Sequence, residues 1–320
     1  MDEAYFYANS NQRTIATANY FSSGLLPTAN VDVVHKMEMG KNDPVFCRDM
    51  TKGSKEYQDQ YYKEVRENNN GNDFDGICKS LERNILKMED FFGFKDSKYA
   101  KENNLEHFPL DNNEMFISNG KGPNLKGTLK TANEIVDAFK MQYYDVEDDS
   151  KALFSKNISF KDLMDIFNID NTYQKSVFDN HTFGVDRCNL LLQEIQGDIN
   201  NQNRKVTFLS GHDNTLMTLL ASLNAKDYDL KSTIDKGIPI GSKVVFNKYI
   251  GKDGQQYCDV SLVYLTVDQI RHRYALSLDN PPMAVPLQFD GIERNSDGLF
   301  KMVDVNNMIN KSISEYDNWQ

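Results

Sequence analysis

The stretch TFLSGHDNTLMTLLASL, residues 207–223, constrains the fold of this chain most strongly. The apolar residues 206–209 form a short run that is typical of a buried strand, and a Ser-Gly pair ends it. From Asn214 onward the apolar residues recur with a helical period. A strand that turns directly into a helix is the building unit of an α/β sheet, and such sheets bind ligands at the carboxyl ends of their strands. The segment therefore predicts an α/β domain with His212 and Asp213 at that edge.

Both ends of the chain supply further strand signals. Residues 4–8 form an aromatic-rich strand candidate, and residues 243–265 alternate around Gly251-Lys252-Asp253-Gly254 as a β-hairpin does. The intervening sequence is rich in Asn, Lys and Asp and has mostly helical periodicity. We therefore predict an α/β domain built from residues 1–50 and 195–320, with a mixed central sheet flanked by helices. Residues 51–194 are predicted to form a mostly helical inserted domain.

Composition and charge exclude several classes of function. A chain with 39% hydrophobic and 26% charged residues is typical of a soluble globular protein. The net charge of −11 argues against binding to a nucleic-acid backbone, and no apolar run is long enough to cross a membrane. The N-terminal residues lack the basic and apolar stretches of a signal peptide. An anionic ligand would therefore need a local cluster of arginine and histidine side chains.

The cysteines give little support for a metal site. Cys47, Cys78, Cys188 and Cys258 are widely spaced and form no Cys-x-x-Cys motif, so we predict no zinc site. Buried thiols and disulfides of an exported protein are both compatible with this spacing. Cysteine usage alone does not indicate the cellular compartment.

The His-Asp pair has two interpretations. A histidine at the end of a strand can bond an oxyanion, and an adjacent aspartate in the same cleft can donate a proton to a leaving oxygen. Alternatively, Asp213 or Asn214 caps the following helix and His212 packs beneath it. The residues themselves leave this choice open.

Arg13 lies in the predicted first turn of a helix that follows the first strand. A cation is disfavoured there by the helix macrodipole, so its presence needs a reason. A bound anion would supply one, because a guanidinium group suits phosphate oxygens. The alternative is a surface ion pair with Asp2, Glu3 or another carboxylate.

Several segments together resemble one family. YANSNQRTIATANYFSSGLLP, VVHKMEMGKNDPVF, IVDAFKMQYY, FLSGHDNTLMTLLASL and IPIGSKVVF resemble, in this order, segments of the histidine acid phosphatases. Within that family they match the bacterial glucose-1-phosphatase type, which is related to periplasmic phytases. The resemblance implies an acid phosphomonoesterase that acts on sugar or inositol phosphates through a phosphohistidine intermediate. It also implies a periplasmic or secreted location and no metal or other cofactor.

The resemblance assigns roles to four residues. Arg13 and His212 match phosphate-binding positions, and His212 and Asp213 match catalytic positions, with Asp213 as the proton donor. Asp145 follows Gln-Tyr-Tyr at a position where the glucose-1-phosphatase type has a glutamate, which implies a role in substrate binding. The sequence does not indicate an oligomeric state.

The family's nucleophilic histidine lies in a motif of the form R-H-G-x-R-x-P. None of the five histidines of this sequence has that context, and His107 and His181 are predicted to be surface residues. We therefore expect the motif to lie upstream of residue 1, so that the first central strand is missing. Two alternatives to the sugar phosphatase follow. One is a truncated or inactive homologue that at most binds phosphate, and the other is a phytase or broad-specificity acid phosphatase.

Overall fold

The structure is a computed structural model that describes residues 3–118, 120 and 123–319. The strands within these residues are β1 (Ala4–Ala8), β2 (Val33–Val34), β3 (Glu114–Phe116), β4 (Asn124–Lys126), β5 (Val206–Ser210), β6 (Lys243–Ile250), β7 (Gln256–Tyr264), β8 (Met283–Pro286) and β9 (Phe300–Lys301). The α-helices are α1 (Gln12–Leu25), α2 (Lys55–Asn68), α3 (Phe74–Ser80), α4 (Glu82–Phe92), α5 (Lys98–Asn103), α6 (Thr128–Asp145), α7 (Ala152–Ser155), α8 (Phe160–Phe178), α9 (His181–Asn200), α10 (Asp213–Ser222), α11 (Val267–Arg271) and α12 (Met302–Glu315).

A small parallel sheet brings the two ends of the chain together. Its strand order is β2-β1-β5, and β1 pairs with β5 in a register that runs from Ala4 opposite Val206 to Ala8 opposite Ser210. Because the two strands are parallel and end at the same level, the residues that follow them meet at one edge of the sheet. Both β1 and the β5–α10 unit were predicted from the sequence, and the α/β class is confirmed.

A second, antiparallel sheet contains the predicted hairpin. β6 and β7 pair from Lys243 opposite Val263 to Ile250 opposite Gln256, and β8 and β9 add to β7. Gly254 in the hairpin turn has φ +73°, a conformation that favours glycine. Parallel and antiparallel strands thus form separate hydrogen-bonded sheets in the described part of the chain. The absence of a first central strand stays a prediction.

Helices α2 to α9 dominate the segment between β2 and β5, together with the short hairpin β3–β4. Their apolar side chains form one core cluster, and α9, α10, α12 and β7 form a second. Helix α9 belongs to both clusters, because Phe183 packs in the first and Leu192 in the second. The division into an α/β domain and an inserted helical domain stays a prediction.

All four cysteines have free thiols. Cys78, Cys188 and Cys258 are buried and Cys47 is partly buried, so the structure follows the buried-thiol interpretation. In the described ranges, no helix combines the length and the apolar character that crossing a membrane requires.

Candidate active site

Three elements deliver polar side chains to the carboxyl edge of the parallel sheet. Asn9 directly follows β1, Arg13 lies in the first turn of α1, and His212 and Asp213 join β5 to α10. Although Arg13 and His212 are 199 residues apart, Arg13 Nη2 lies 2.7 Å from His212 Nδ1. The structure therefore brings together three of the four residues to which the sequence assigned roles.

His212 is in contact with hydrogen-bond donors at both ring nitrogens. Asn9 Nδ2 lies 2.6 Å from its Nε2 atom, opposite the contact that Arg13 makes with Nδ1. Burial lowers the pKa of His212 to about 4, and the charges of Arg13 and Arg187 contribute, while Asp213 opposes the shift. The imidazole is therefore neutral at neutral and mildly acidic pH.

Asn9 is fully buried and its orientation is set by the backbone. Its Oδ1 atom accepts hydrogen bonds from the backbone N–H of Ser10 (2.9 Å) and of Asp43 (2.7 Å). The Asp43 carboxylate in turn accepts a hydrogen bond of 2.7 Å from the Tyr7 hydroxyl. Asn9 is not among the residues predicted from the sequence, although a polar residue directly after a buried strand was an available signal.

Arg187, on α9, is a second cation near this site after Arg13, and it was not predicted from the sequence. It is 7% exposed, and its guanidinium contacts the Arg48 carbonyl oxygen (3.4 Å), Cys47 Sγ (3.2 Å) and Asn214 Oδ1 (3.5 Å). Its Nε atom has no hydrogen-bond partner. Across the described ranges, no carboxylate lies within ion-pair distance of this buried guanidinium. A helical stretch with an arginine among apolar residues gave no indication of this location.

Arg13 likewise forms no ion pair with a described carboxylate. Glu3, one of the partners considered from the sequence, pairs with Lys205 at 2.6 Å, and Asp2 lies outside the described residues. We call Arg13, Arg187 and His212 the donor cluster. It presents more N–H groups than local acceptors can satisfy, and the N-terminus of α10 adds partial positive charge. This arrangement suits an anion with several oxygens, such as a phosphate.

Asp213 is the first residue of α10 and is exposed. Its Oδ1 atom accepts a hydrogen bond of 2.8 Å from the backbone N–H of Asn214, and the N-cap residue His212 makes no side-chain cap bond. Asp213 also lines a cavity of about 100 Å³ whose lining includes no residue of the donor cluster. A carboxyl group between an anion site and a cavity is suitably placed for proton donation to a leaving group.

Three residues of the cavity wall, Lys140, Asp170 and Asp235, form a buried ion-pair cluster, which Tyr144 joins through a hydrogen bond to Asp235. Lys140 Nζ lies 2.5 Å from Asp170 Oδ2 and 3.0 Å from Asp235 Oδ1, and the Tyr144 hydroxyl donates to Asp235 at 2.6 Å. Burial alone would lower the pKa of Lys140, but the two carboxylates raise it. This lysine is therefore a permanent cation whose charge is neutralised within the protein.

Asp137, one turn before Lys140 on α6, is another residue that sequence analysis missed. Burial raises its pKa, Lys140 opposes the shift, and the carboxylates of Asp213 and Asp235 add to it. Asp137 therefore influences the charge balance near Asp213.

Asp145 is not in contact with the other predicted site residues. It ends α6, its side chain is exposed, and Arg273 Nη2 lies 3.5 Å from its Oδ1 atom and 3.1 Å from its backbone oxygen. Its role in substrate binding stays a prediction.

The family described as the histidine phosphatase superfamily (branch 2) matches residues 1–265. The chain belongs to this superfamily.

Two relatives of this histidine phosphatase are glucose-1-phosphatases. That of Providencia rettgeri is 28% identical over 319 residues, which cover 98% of the chain and 75% of the relative. That of Salmonella typhimurium is 28% identical over 314 residues, 97% of the chain and 74% of the relative. The apo form of Hafnia alvei phytase superimposes with a TM-score of 0.86 at 20% identity, covering 98% of this chain and 79% of that one. These comparisons confirm the family resemblance and the class of phosphate-ester hydrolase.

The other four histidines of this histidine phosphatase have partners away from the donor cluster. His35 contacts the Met37 carbonyl oxygen, His107 contacts Glu89, and His272 stacks on Tyr274. His181 was predicted to be a surface residue, which is wrong: it is partly buried and lies 3.0 Å from the Ala221 carbonyl oxygen and 3.1 Å from Glu315. It begins α9, which packs against α10, and this packing covers the ring.

Within the residues that the structure describes, no group of three or more histidine, cysteine, aspartate or glutamate side chains is arranged to hold an ion. The positive charge at the site comes from guanidinium groups and a helix N-terminus.

Proposed function

We propose that this histidine phosphatase hydrolyses phosphate monoesters, with Arg13 and His212 binding the phosphoryl oxygens and Asp213 protonating the leaving oxygen. The contact of 2.7 Å between Arg13 Nη2 and His212 Nδ1 carries this proposal. Two donor groups that meet without a described carboxylate are well suited to share an anionic oxygen. Arg187, buried nearby, adds positive charge to the same region.

The donor cluster would act mainly by electrostatic stabilisation. In phosphoryl transfer the charge is spread over the equatorial oxygens, and fixed N–H donors stabilise it without reorganisation. Because His212 is neutral, it contributes a directed N–H rather than a full charge. The guanidinium groups supply the charge.

The proposed reaction proceeds through a phosphohistidine. A histidine nitrogen forms a bond to phosphorus, the bond from phosphorus to the ester oxygen breaks, and Asp213 donates a proton to that oxygen. Water then attacks phosphorus, the N–P bond breaks, orthophosphate leaves, and Asp213 takes up the proton of the water. We propose that the attacking histidine is none of the five in this sequence.

We propose a sugar phosphate, with glucose 1-phosphate as the first candidate, as the substrate. Similarity to glucose-1-phosphatases over nearly the whole chain supports it. The cavity beside Asp213 supports it as well, because its lining has four lysines against five aspartates and so offers no net positive charge to a polyphosphate. A neutral polyol fits such a wall better than a polyphosphate does. A periplasmic or secreted location, which the resemblance implied, stays part of this proposal.

Two alternative functions are each favoured by one observation. A phytase or broad-specificity acid phosphatase is supported by the fold shared with Hafnia alvei phytase. A non-catalytic protein that binds phosphate is compatible with the donor cluster alone, because none of the five histidines has the nucleophile motif.

Two measurements separate these functions. Protein expressed from the whole gene is assayed at acidic pH with glucose 1-phosphate, inositol hexakisphosphate and p-nitrophenyl phosphate, and the 320-residue chain is titrated with inorganic phosphate by calorimetry. We expect preferential hydrolysis of glucose 1-phosphate and phosphate binding that Arg13→Gln weakens. Phosphate binding without turnover would indicate the non-catalytic protein, and the absence of both would overturn the proposal.

A further inference from the structure

The contacts of His212 contain a conflict that identifies the proton-bearing nitrogen of its ring. A neutral imidazole has one N–H and one acceptor nitrogen. Asn9 Nδ2 and Arg13 Nη2, both donors, lie 2.6 and 2.7 Å from the two ring nitrogens. Whichever nitrogen carries the proton, one of these contacts places two donors against each other.

A different orientation of the Asn9 amide cannot remove this contact between two donors. Rotating the amide by 180° would remove one clash at His212 but create two, because its NH₂ group would then face the backbone N–H groups of Ser10 and Asp43. Asn9 is also fully buried, which leaves no room for water to relieve the clash. Its NH₂ group is therefore fixed toward Nε2, and its second N–H points to Asn42 Oδ1 at 3.4 Å.

The contact between two donors can instead be removed at Arg13. Arg13 is exposed and its guanidinium has four further N–H groups. An anionic oxygen placed between Arg13 and the ring would accept from both.

We propose that Asn9 is a positioning residue that holds His212 in the Nδ1–H tautomer, so that Nδ1–H points toward the bound anion. This inference rests on the proposed function, because it assigns His212 to a phosphoryl oxygen. Nε2 accepts from Asn9, and Nδ1–H and Arg13 donate to the same anion. A residue that does not contact the substrate thus determines which ring nitrogen donates to it.

The charged groups around the ring are consistent with this assignment. Arg13 on α1 and Arg187 on α9 disfavour the imidazolium, and Asp213 on α10 favours it. Asp43, in the loop before α2, bonds its carboxylate to Tyr7 and to the backbone N–H of Val45 rather than to the ring. No described carboxylate accepts a hydrogen bond from either ring nitrogen.

The decisive measurement is the tautomer itself. In the protein labelled with ¹⁵N-histidine, long-range proton–nitrogen correlation spectra distinguish protonated from unprotonated ring nitrogens, and the His212→Gln variant identifies the His212 signals. We expect unprotonated Nε2 and protonated Nδ1, with the Nδ1 signal shifting when inorganic phosphate is added. A protonated Nε2 in the unsubstituted protein would overturn the inference, whatever the variants do.

The variant Asn9→Asp sharpens the test, because it exchanges the NH₂ group for an oxygen at nearly constant volume. The carboxylate introduced by this substitution would accept from Nε2–H, so the pKa of His212 should rise above about 4. Above the new pKa, Nδ1 would become an acceptor facing the phosphate. The Kd for phosphate of the variant is divided by that of the unsubstituted protein, because this ratio cancels the titration of phosphate itself. The ratio should increase about tenfold as the pH rises through the new pKa of His212.

Asn42→Asp is the matched control, because it introduces the same charge next to Asn9 without contacting the ring. An equal change of the His212 tautomer or pKa in both variants would attribute the effect to charge alone and contradict the role of Asn9. Failure of hydrolysis with the expected tautomer would contradict only the proposed function. Hydrolysis with the opposite tautomer would contradict only this inference.

Discussion

Two buried cations, Arg187 and Lys140, differ in how their charges are balanced. Lys140 contacts two carboxylates, Asp170 and Asp235, within the ion-pair cluster. Arg187 is as deeply buried but contacts a carbonyl oxygen, a thiol and an amide. A buried charge needs compensation, so a cation without a carboxylate indicates that a ligand supplies the negative charge. Lys140 thus belongs to the scaffold and Arg187 to the proposed phosphate site. Asp213 lines the same cavity as Lys140 and directly precedes Asn214, which Arg187 contacts.

The largest expected effect concerns Asp213, which lies where two regions meet, the ion-pair cluster and the proposed phosphate site. Asp213→Asn removes the proposed proton donor and should lower kcat for glucose 1-phosphate by a factor of about 10²–10⁴. Asp59→Asn, an exposed carboxylate on α2 that pairs with Lys55, is the control. Steady-state kinetics of the protein from the whole gene measure the effect. Full activity of Asp213→Asn would remove Asp213 from the mechanism.

The second prediction tests Lys140 as scaffold. Lys140→Met leaves two buried carboxylates without their cation and should reduce the free energy of unfolding by about 3–5 kcal/mol. Urea unfolding monitored by circular dichroism measures this loss. A change within about 0.5 kcal/mol would show that the ion-pair cluster does not stabilise the fold.

Arg187→Met is the complementary test. Because Arg187 has no described carboxylate partner, its replacement should reduce stability much less than Lys140→Met does. It should weaken phosphate binding by about 10- to 100-fold, as expected for the loss of a charge-assisted contact. Calorimetry with inorganic phosphate measures the affinity. If Arg187→Met were as destabilising as Lys140→Met and left the affinity unchanged, the contrast between the two cations would be wrong.

The pH dependence of stability tests the neutral state of His212. Its pKa is about 4 in the folded protein and about 6.5 when unfolded, so the unfolded chain binds more protons between these values. The contribution of this pKa difference to the free energy of unfolding is fully present above pH 6.5 and is lost as the pH falls through 4. The difference in unfolding free energy between the unsubstituted protein and His212→Gln should therefore decrease from about pH 7 to about pH 4. A constant difference would contradict the lowered pKa.

The smallest expected effect concerns Asp145, which lies outside both regions. Its exposed pair with Arg273 contributes little, so Asp145→Asn should change the unfolding free energy by less than about 1 kcal/mol. If Asp145 binds the sugar, KM for glucose 1-phosphate should rise several-fold while KM for p-nitrophenyl phosphate stays the same. A KM for glucose 1-phosphate that the substitution leaves unchanged would exclude that role.

The elements of the fold and of the site that were predicted from the sequence share one property. β1, the β5–α10 unit and the β6–β7 hairpin are encoded by periodicity and turn residues over fewer than about thirty residues. Arg13 and the His-Asp pair follow such local signals directly. That these residues meet at one edge follows only from the structure, in which β1 and β5 are parallel neighbours.

Arg187, Asp137 and the ion-pair cluster could not be predicted from the sequence for one reason. Their significance depends on partners far away in the chain: Lys140 meets Asp235 across 95 residues, and Arg187 meets Cys47 across 140. Periodicity reports which face of an element is apolar, but not which buried polar groups find partners.

The sequence by itself determined the α/β class, the family and the positions of Arg13, His212 and Asp213 close to strand–helix junctions, because these follow from local pattern and motif order. Only the tertiary structure decided which charges are compensated. Lys140 is neutralised, Arg187 is not, and Asn9 faces the His212 ring with its NH₂ group. Compensation of buried charges is a sum over contacts between distant segments, and it exists only once the chain has packed.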